Sequence, residues 1–414
     1  MRFSVKALSY FIIAAMMMSF SSCGVDDEPG NGENGGNGGD NPDIDPKEFF
    51  EETATMFLNK FKAADQQAVI KMANDFVTDY GDLDMPGEFS MAPAASMMQS
   101  LARTLSSNDF AGLSRSYESY YYAFSKYTGI YKPGKYSWSR ESDSSDIVFR
   151  FTDRSGKECS ITAKASSETW TGNITIDGDT YKAEVPKTIS IEVKQGSTTM
   201  LTATVETNYV KNSKLNVTTV TEAANLKVSA ELAATNTTVK STTTLAVNGE
   251  VITTGVAEIN GQNLCMQDYI QSLIENEDED GLFDLFTNAN ATADVLGRVQ
   301  VKGSISQFRN VGDALDYDDT DKQGAIDAAK LLNEKLPCKF YFNGSSNARG
   351  SVEWQCYLSW ESSWSDEKWW GVEPILLFND GTSYAFEDYF GNGKFGSVES
   401  LFENLLDSYE ALWK

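Results

Sequence analysis

From residue 131 to residue 261 apolar side chains recur at every second position, and this alternation constrains the fold more than any other feature of the chain. Ile147/Phe149/Phe151, Ile161/Ala163/Ala165, Tyr181/Ala183/Val185, Ile189/Ile191/Val193, Leu201/Ala203/Val205 and Leu226/Val228/Ala230/Leu232 each alternate with polar residues. A period of two sets one apolar row against a core and leaves the other row wet, as in half-buried antiparallel strands. The turn signals Arg154-Ser155-Gly156, Asp177-Gly178, Gln195-Gly196 and Asn248-Gly249 separate these runs at hairpin intervals, and no proline occurs between Pro186 and Pro337. The pattern predicts a meander of about nine to eleven strands with one wet, threonine-rich face. Those threonines suit strands on propensity alone and mark no site.

Helical spacing precedes the strands. Phe50, Ala54, Phe57 and Phe61 share one face, then Val69, Met72, Phe76 and Tyr80 another, with Asp65 the candidate N-cap between two helices. Met97, Leu101 and Leu105 continue helically, and Tyr117, Tyr120, Tyr121, Phe124 and Tyr127 form an aromatic stripe suited to packing on a sheet. After Gly261 the pattern is mixed. Helix is expected over 264–274, strand through Val299, Val301 and Ile305, and helix over 321–336, stopped by Pro337. Two hairpins follow, over 339–360 and 375–387, and a last helix runs through Val398, Leu401, Phe402, Leu405, Tyr409 and Leu412. The expected fold is α+β. N-terminal helices pack on a long antiparallel meander over 47–263, either open or curved into a half-barrel, and a smaller mixed α/β portion follows over 264–414.

Charge removes several classes of function. Lys and Arg total 34 against 60 Asp and Glu, a net charge of −26, and there is no histidine. Such a chain repels phosphate backbones and anionic headgroups, which argues against a nucleic-acid partner. Without imidazole there is no Ser-His-Asp triad, Cys-His dyad or histidine metal ligand.

The N-terminus carries an address. Arg2 and Lys6 lead an uncharged, mostly apolar run over 7–20, too short to span a bilayer, so 1–22 reads as a signal peptide. It ends in Phe20-Ser21-Ser22-Cys23-Gly24, which resembles the lipobox of bacterial lipoproteins, although Phe20 stands where Leu is usual. Residues 24–46 hold seven acidic residues and no basic one around a Gly/Asn-rich stretch, a composition that cannot bury a core and predicts a disordered tether. The triplet Asp26-Asp27-Glu28 is similar to the export signal of Bacteroidetes surface lipoproteins. This resemblance is confined to the N-terminal segment. It implies lipidation at Cys23, a membrane contact through the lipid anchor alone, and exposure on the outer face of the outer membrane.

The remaining constellations point to binding rather than chemistry. Cys338 and Cys356 are symmetric about Asn347 and are expected to face each other across a hairpin, as a disulfide or as two buried thiols. No CxxC spacing occurs, and no metal site or cofactor is expected. The run 276–281 resembles the first half of an EF-hand loop, yet Asn276 replaces the leading aspartate and Thr287 stands where the bidentate glutamate belongs. Acidic residues 316–321 are expected to cap the next helix. Carboxylates are everywhere and show no glycosidase-specific arrangement.

Five of the eight tryptophans, Trp354, Trp360, Trp364, Trp369 and Trp370, fall between 354 and 370, the last three on a polar stretch that reads as loop. Flat rings on such a loop suit stacking on sugar faces, with Asp366 or Lys368 available for hydroxyls; the alternative is that the rings fold back over the sheet end. The expected function is a non-catalytic surface lipoprotein binding an extracellular ligand, a polysaccharide first, through Trp360, Trp364, Trp369, Trp370, Asp366 and Lys368. A lipid carrier with a half-barrel fold and a protein-binding component of a surface assembly are the alternatives.

Overall fold

The computed structural model describes residues 45–81, 83, 128–176, 179–210, 212–266, 269, 272, 281, 284–306, 318–361, 368–385 and 396–412, the side chains of 169–185 excepted. Cys23 and residues 1–44, the tyrosine stripe, the acidic run 276–280, Trp364 and Asp366 lie outside the described residues.

Two helices open the described chain, α1 (Pro46–Leu58) and α2 (Ala63–Tyr80). Pro46 occupies the first turn of α1, where its missing N–H is no loss, and the Asp45 side chain accepts the Glu48 N–H at 3.1 Å. The cap expected at Asp65 is not there. Helix α2 is entered three residues earlier, from Lys62, which makes no side-chain cap bond, and Asp65 sits inside the first turn, where its charge faces the positive end of the helix.

The strands are β1 (Gly129–Pro133), β2 (Trp138–Ser142), β3 (Ile147–Thr152), β4 (Glu158–Ala165), β5 (Thr169–Ile176), β6 (Asp179–Pro186), β7 (Thr188–Gln195), β8 (Thr198–Val210), β9 (Lys214–Ala223), β10 (Leu226–Thr235), β11 (Thr238–Val247) and β12 (Glu250–Gly261). Then come β13 (Phe286–Val295), β14 (Val299–Ile305), helix α3 (Lys322–Lys335), β15 (Cys338–Phe342), β16 (Gly350–Glu361), β17 (Lys368–Phe378), β18 (Ser383–Ala385) and helix α4 (Gly396–Glu410). Sixteen of the strands form one sheet in the order β18 back to β7, then β4, β3, β1 and β2, while β5 and β6 form a separate hairpin. Among the described residues only β1 and β3 pair parallel. The fold is α+β, as expected, and the sheet is open, with β18 and β2 at its edges. The meander is longer than the alternation alone suggested, because β13 to β18 extend the same sheet beyond Gly261.

Register explains the two faces. Val239, Ile259, Ala289 and Ile305 pair in one row across β11 to β14 and are buried, whereas Thr202, Thr218, Thr242, Thr254 and Thr292 belong to the opposite, wetter face. The β11–β12 turn is the Asn248-Gly249 pair, both with positive φ (54° and 80°), the geometry that twists a two-residue hairpin correctly. Helices cover the inner face. Phe49, Phe57 and Leu58 of α1 and Val398 of α4 pack on Val247, Phe340, Phe342, Leu376 and Phe378. Met72 of α2 and Leu332 of α3 belong to a second cluster with Tyr131, Phe149, Val217 and Leu232.

Polar ties fix the helices. Tyr409 of α4 donates to Gln66 of α2, whose amide donates to Asn225 in the β9–β10 turn; Asn225 donates in turn to Asp65 at 3.1 Å. Burial, aided by the Asp65 charge, pushes the Tyr409 hydroxyl up to about 12. At the other end of α2, the buried Asp75 accepts the Arg154 N–H at 3.2 Å, and Asp79 pairs with the Arg154 guanidinium at 2.6 Å. Next to it, burial pushes the Asp153 carboxyl up, but hydrogen bonds from Ser155, Lys157 N–H and Gln195 outweigh it and hold the group below the usual range.

The cysteine pairing is corrected. Cys338 faces Val352, and Cys356 faces Val372 on the next strand, so the two lie four residues apart along β16 and no disulfide joins them. Phe340 opposite Gly350 centres the β15–β16 hairpin nearer its start than cysteine symmetry implied. Four residues of strand span about 13 Å, beyond disulfide reach.

Candidate functional site

The outer half of the β16–β17 hairpin differs from the rest of the sheet because its neighbours stop short. β15 pairs with β16 only from Gly350 to Val352, and β18 pairs with β17 only from Ile375 to Leu377. Beyond Trp354 and Pro374 the two strands therefore continue, among the described residues, as a ribbon. Helix α3 supports its base. Asp321 caps α3 by accepting the Gln323 N–H at 2.9 Å, Leu336 ends it, and Pro337 follows. From that helix Asn333 accepts the Trp354 N–H at 2.6 Å and donates to the Trp354 carbonyl at 2.9 Å, standing in for a missing strand. Just before α3, the Asp319 carbonyl accepts the Trp370 N–H at 2.6 Å, and Lys322 lies over the Trp370 ring, 4.4 Å from its centroid.

A β-bulge sorts the aromatic residues. Leu358 pairs with Trp370, but Trp360 pairs with Trp369, so Ser359 is an extra residue that has no partner on β17. Without it, alternation places Trp360 on the inner row with Trp354 and Leu358. The bulge moves Trp360 to the outer row, beside Tyr357 and opposite Trp369. The two indoles meet edge to face, with centroids 4.4 Å apart and planes inclined by 62°. Trp360 is 53% exposed, Tyr357 39% exposed, and Trp369 half-buried. The same row continues with Gln355, which donates to Glu373 at 2.8 Å across the strands. At the far end Lys368 pairs with Glu361 at 2.7 Å.

The tryptophans expected to act together are therefore divided. Trp369 and Trp370 begin a strand instead of lying in a loop, since pairing with β16 reaches Lys368. As strand neighbours they face opposite sides: Trp369 joins Trp360 on the outer row, while Trp370 turns inward beneath Lys322. Trp354 also turns inward and packs on the core cluster. Lys368 is present at the ribbon end; Trp364 and Asp366 lie outside the described residues. Tyr357 was missed by sequence reading. Its signal was weak, a single tyrosine in a strand, and only the register puts it beside the indole pair.

Other chemistry finds little support. The two buried carboxylates among the described residues are both occupied: Asp75 holds α2 to the β3–β4 turn, and Asp153 accepts from Ser155, the Lys157 N–H and Gln195 of β7. Among the described residues no group of three or more Cys, Asp or Glu side chains could hold a metal ion, and no helix is long and apolar enough to cross a membrane. Burial pushes the Cys159 and Cys265 thiols up, away from nucleophilic thiolates.

The molecule is thus an open α+β sheet protein that carries an aromatic ribbon at one end of the sheet. Compared with known proteins, the chain matches no family model, no curated protein and no solved structure.

Proposed function

We propose that the protein is a non-catalytic, lipid-anchored surface protein that binds an extracellular polysaccharide through the ribbon of β16 and β17. The observation that carries this reading is Trp360: a large indole, half exposed, held against Trp369 on the outer, polar face of the sheet. Exposing such a ring costs apolar hydration that folding elsewhere avoids, and a rigid ring with few rotors loses little entropy when a sugar face covers it. Lys368 and Glu361 stand at the end of the ribbon for hydroxyl contacts. The address comes from Cys23, the acidic triplet and the tether, which would hold the domain about 25 Å from the membrane.

Titrating tryptophan fluorescence against a panel of glycans tests the binding, with Trp360→Ala as the control. A spectral change that saturates in the wild type and disappears in the variant is expected. A silent panel would count against the glycan and in favour of a protein partner at the same rings. Fatty-acid labelling that persists in a Cys23→Ser protein would remove the anchor, and protection from protease on intact cells would remove the outward orientation.

A further inference from the structure

We propose that Tyr357 is a second stacking platform beside the Trp360–Trp369 pair, so that the outer row of the ribbon takes consecutive units of one neutral glycan chain. This rests on the function proposed above and specifies its ligand.

Three observations carry it. The first is the Ser359 bulge, which places Trp360 and Tyr357 on the same face even though they are three residues apart. The second is Gly371, directly opposite Tyr357. A Cβ at Gly371 would lie 2.6 Å from the Tyr357 ring, so the absence of a side chain there lets the ring lie down across β17. The ring thereby rests against the Gly371 backbone and yet the residue remains 39% exposed. The third is the next rung, Gln355 and Glu373, joined at 2.8 Å. Their remaining carbonyl and carboxylate oxygens are acceptors suited to sugar hydroxyls. Successive rungs on one face are about 7 Å apart, on the order of one hexose unit, so the row reads as aromatic pair, aromatic ring, polar pair.

Charge selects the chain. Glu353 and Glu361 flank the row and Glu373 belongs to it, against Lys368, on a protein of net charge −26. That field repels uronates and sulfated sugars and leaves neutral glycans as the ligand class.

The test uses the full chain and isothermal titration with neutral gluco-, manno-, xylo- and galacto-oligosaccharides of graded length, and with oligogalacturonides. Wild-type affinity is expected to rise with length for a neutral series. Tyr357→Ala and Gly371→Ala are expected to lose about three- to tenfold for the longer members and little for the shortest, and Tyr357→Phe to retain binding. Both sites are at the surface, and unchanged circular dichroism and urea midpoints confirm that the variants are folded. If Trp360→Ala abolishes binding but Tyr357→Ala and Gly371→Ala match wild type at every length, the second platform is wrong and the proposed function stands. If no neutral sugar binds, both fall. Tightest binding by the oligogalacturonides would overturn the neutral class.

Discussion

The two halves of the β16–β17 hairpin are built from similar residues and meet different fates. In the inner half, Val352, Leu376 and Phe378 are buried under α1 and α4, with Phe340 and Phe342 beside them. In the outer half, Tyr357, Leu358 and Trp360 are exposed, and α3 and the Asp319 carbonyl before it support the base. Hydrophobicity alone does not separate them. What separates them is whether neighbouring strands extend far enough to give helices a surface to cover. A hairpin without flanking strands is marginal in water, so the outer half depends on its anchor points, Asn333, the Asp319 carbonyl and the Glu361–Lys368 pair.

The comparison breaks most visibly at Phe340, which is fully buried and packs its ring on Phe342, Phe378 and Phe50. Phe340→Ala should cost about 3 to 5 kcal/mol in urea unfolding. A loss under 1 kcal/mol would mean that the inner half is not a packed core.

The helices that distinguish the inner half can be loosened with alkali. Tyr409 ties α4 to α2, and its hydroxyl is pushed up to about 12 from an ordinary 10.0. Below pH 10 both the folded and the unfolded chain keep the proton, so the group leaves stability unchanged there. Between about pH 10 and 12 the unfolded chain binds fewer protons, and stability falls by about 2 to 3 kcal/mol. Tyr409→Phe should flatten that part of the pH profile; an unchanged profile would place the effect elsewhere.

Asn333→Ala should cost about 1 to 3 kcal/mol, because the Trp354 peptide loses both of its hydrogen bonds to that side chain. Hydrogen exchange should accelerate in the outer half and stay slow at Val352 and Leu376. Uniform acceleration along the hairpin would erase the distinction between the halves.

Trp360→Ala sharpens the comparison from the opposite side. At an exposed position the expected stability change is about 0.5 kcal/mol or less, with loss of ligand binding as the main effect. A large drop in the urea midpoint would show that the indole pair is a structural element.

Much of the architecture was legible in the chain. Alternation such as Ile147/Phe149/Phe151 fixed strands and their faces, because burial on a pleated sheet is strictly periodic. Helices α1 and α2 followed from the helical spacing of apolar residues, and Asn248-Gly249 from the need for positive φ. The candidate site was only half legible: tryptophan density pointed to the β16–β17 hairpin but grouped Trp370 with Trp360, which the register separates, and left out Tyr357, which it places in the row of Trp360.

By itself, the sequence determined many of the strands and helices, which row of those strands is apolar, and that histidine chemistry is absent, since these depend on local spacing and composition. Only the tertiary structure decided which residues meet. A single unpaired residue, Ser359, moves Trp360 to the other face, the register puts Cys338 opposite Val352 instead of Cys356, and the short reach of β15 and β18 leaves one half of a hairpin without flanking strands among the described residues. Pairing offset and strand reach are set by the whole sheet's packing, and local sequence does not encode them.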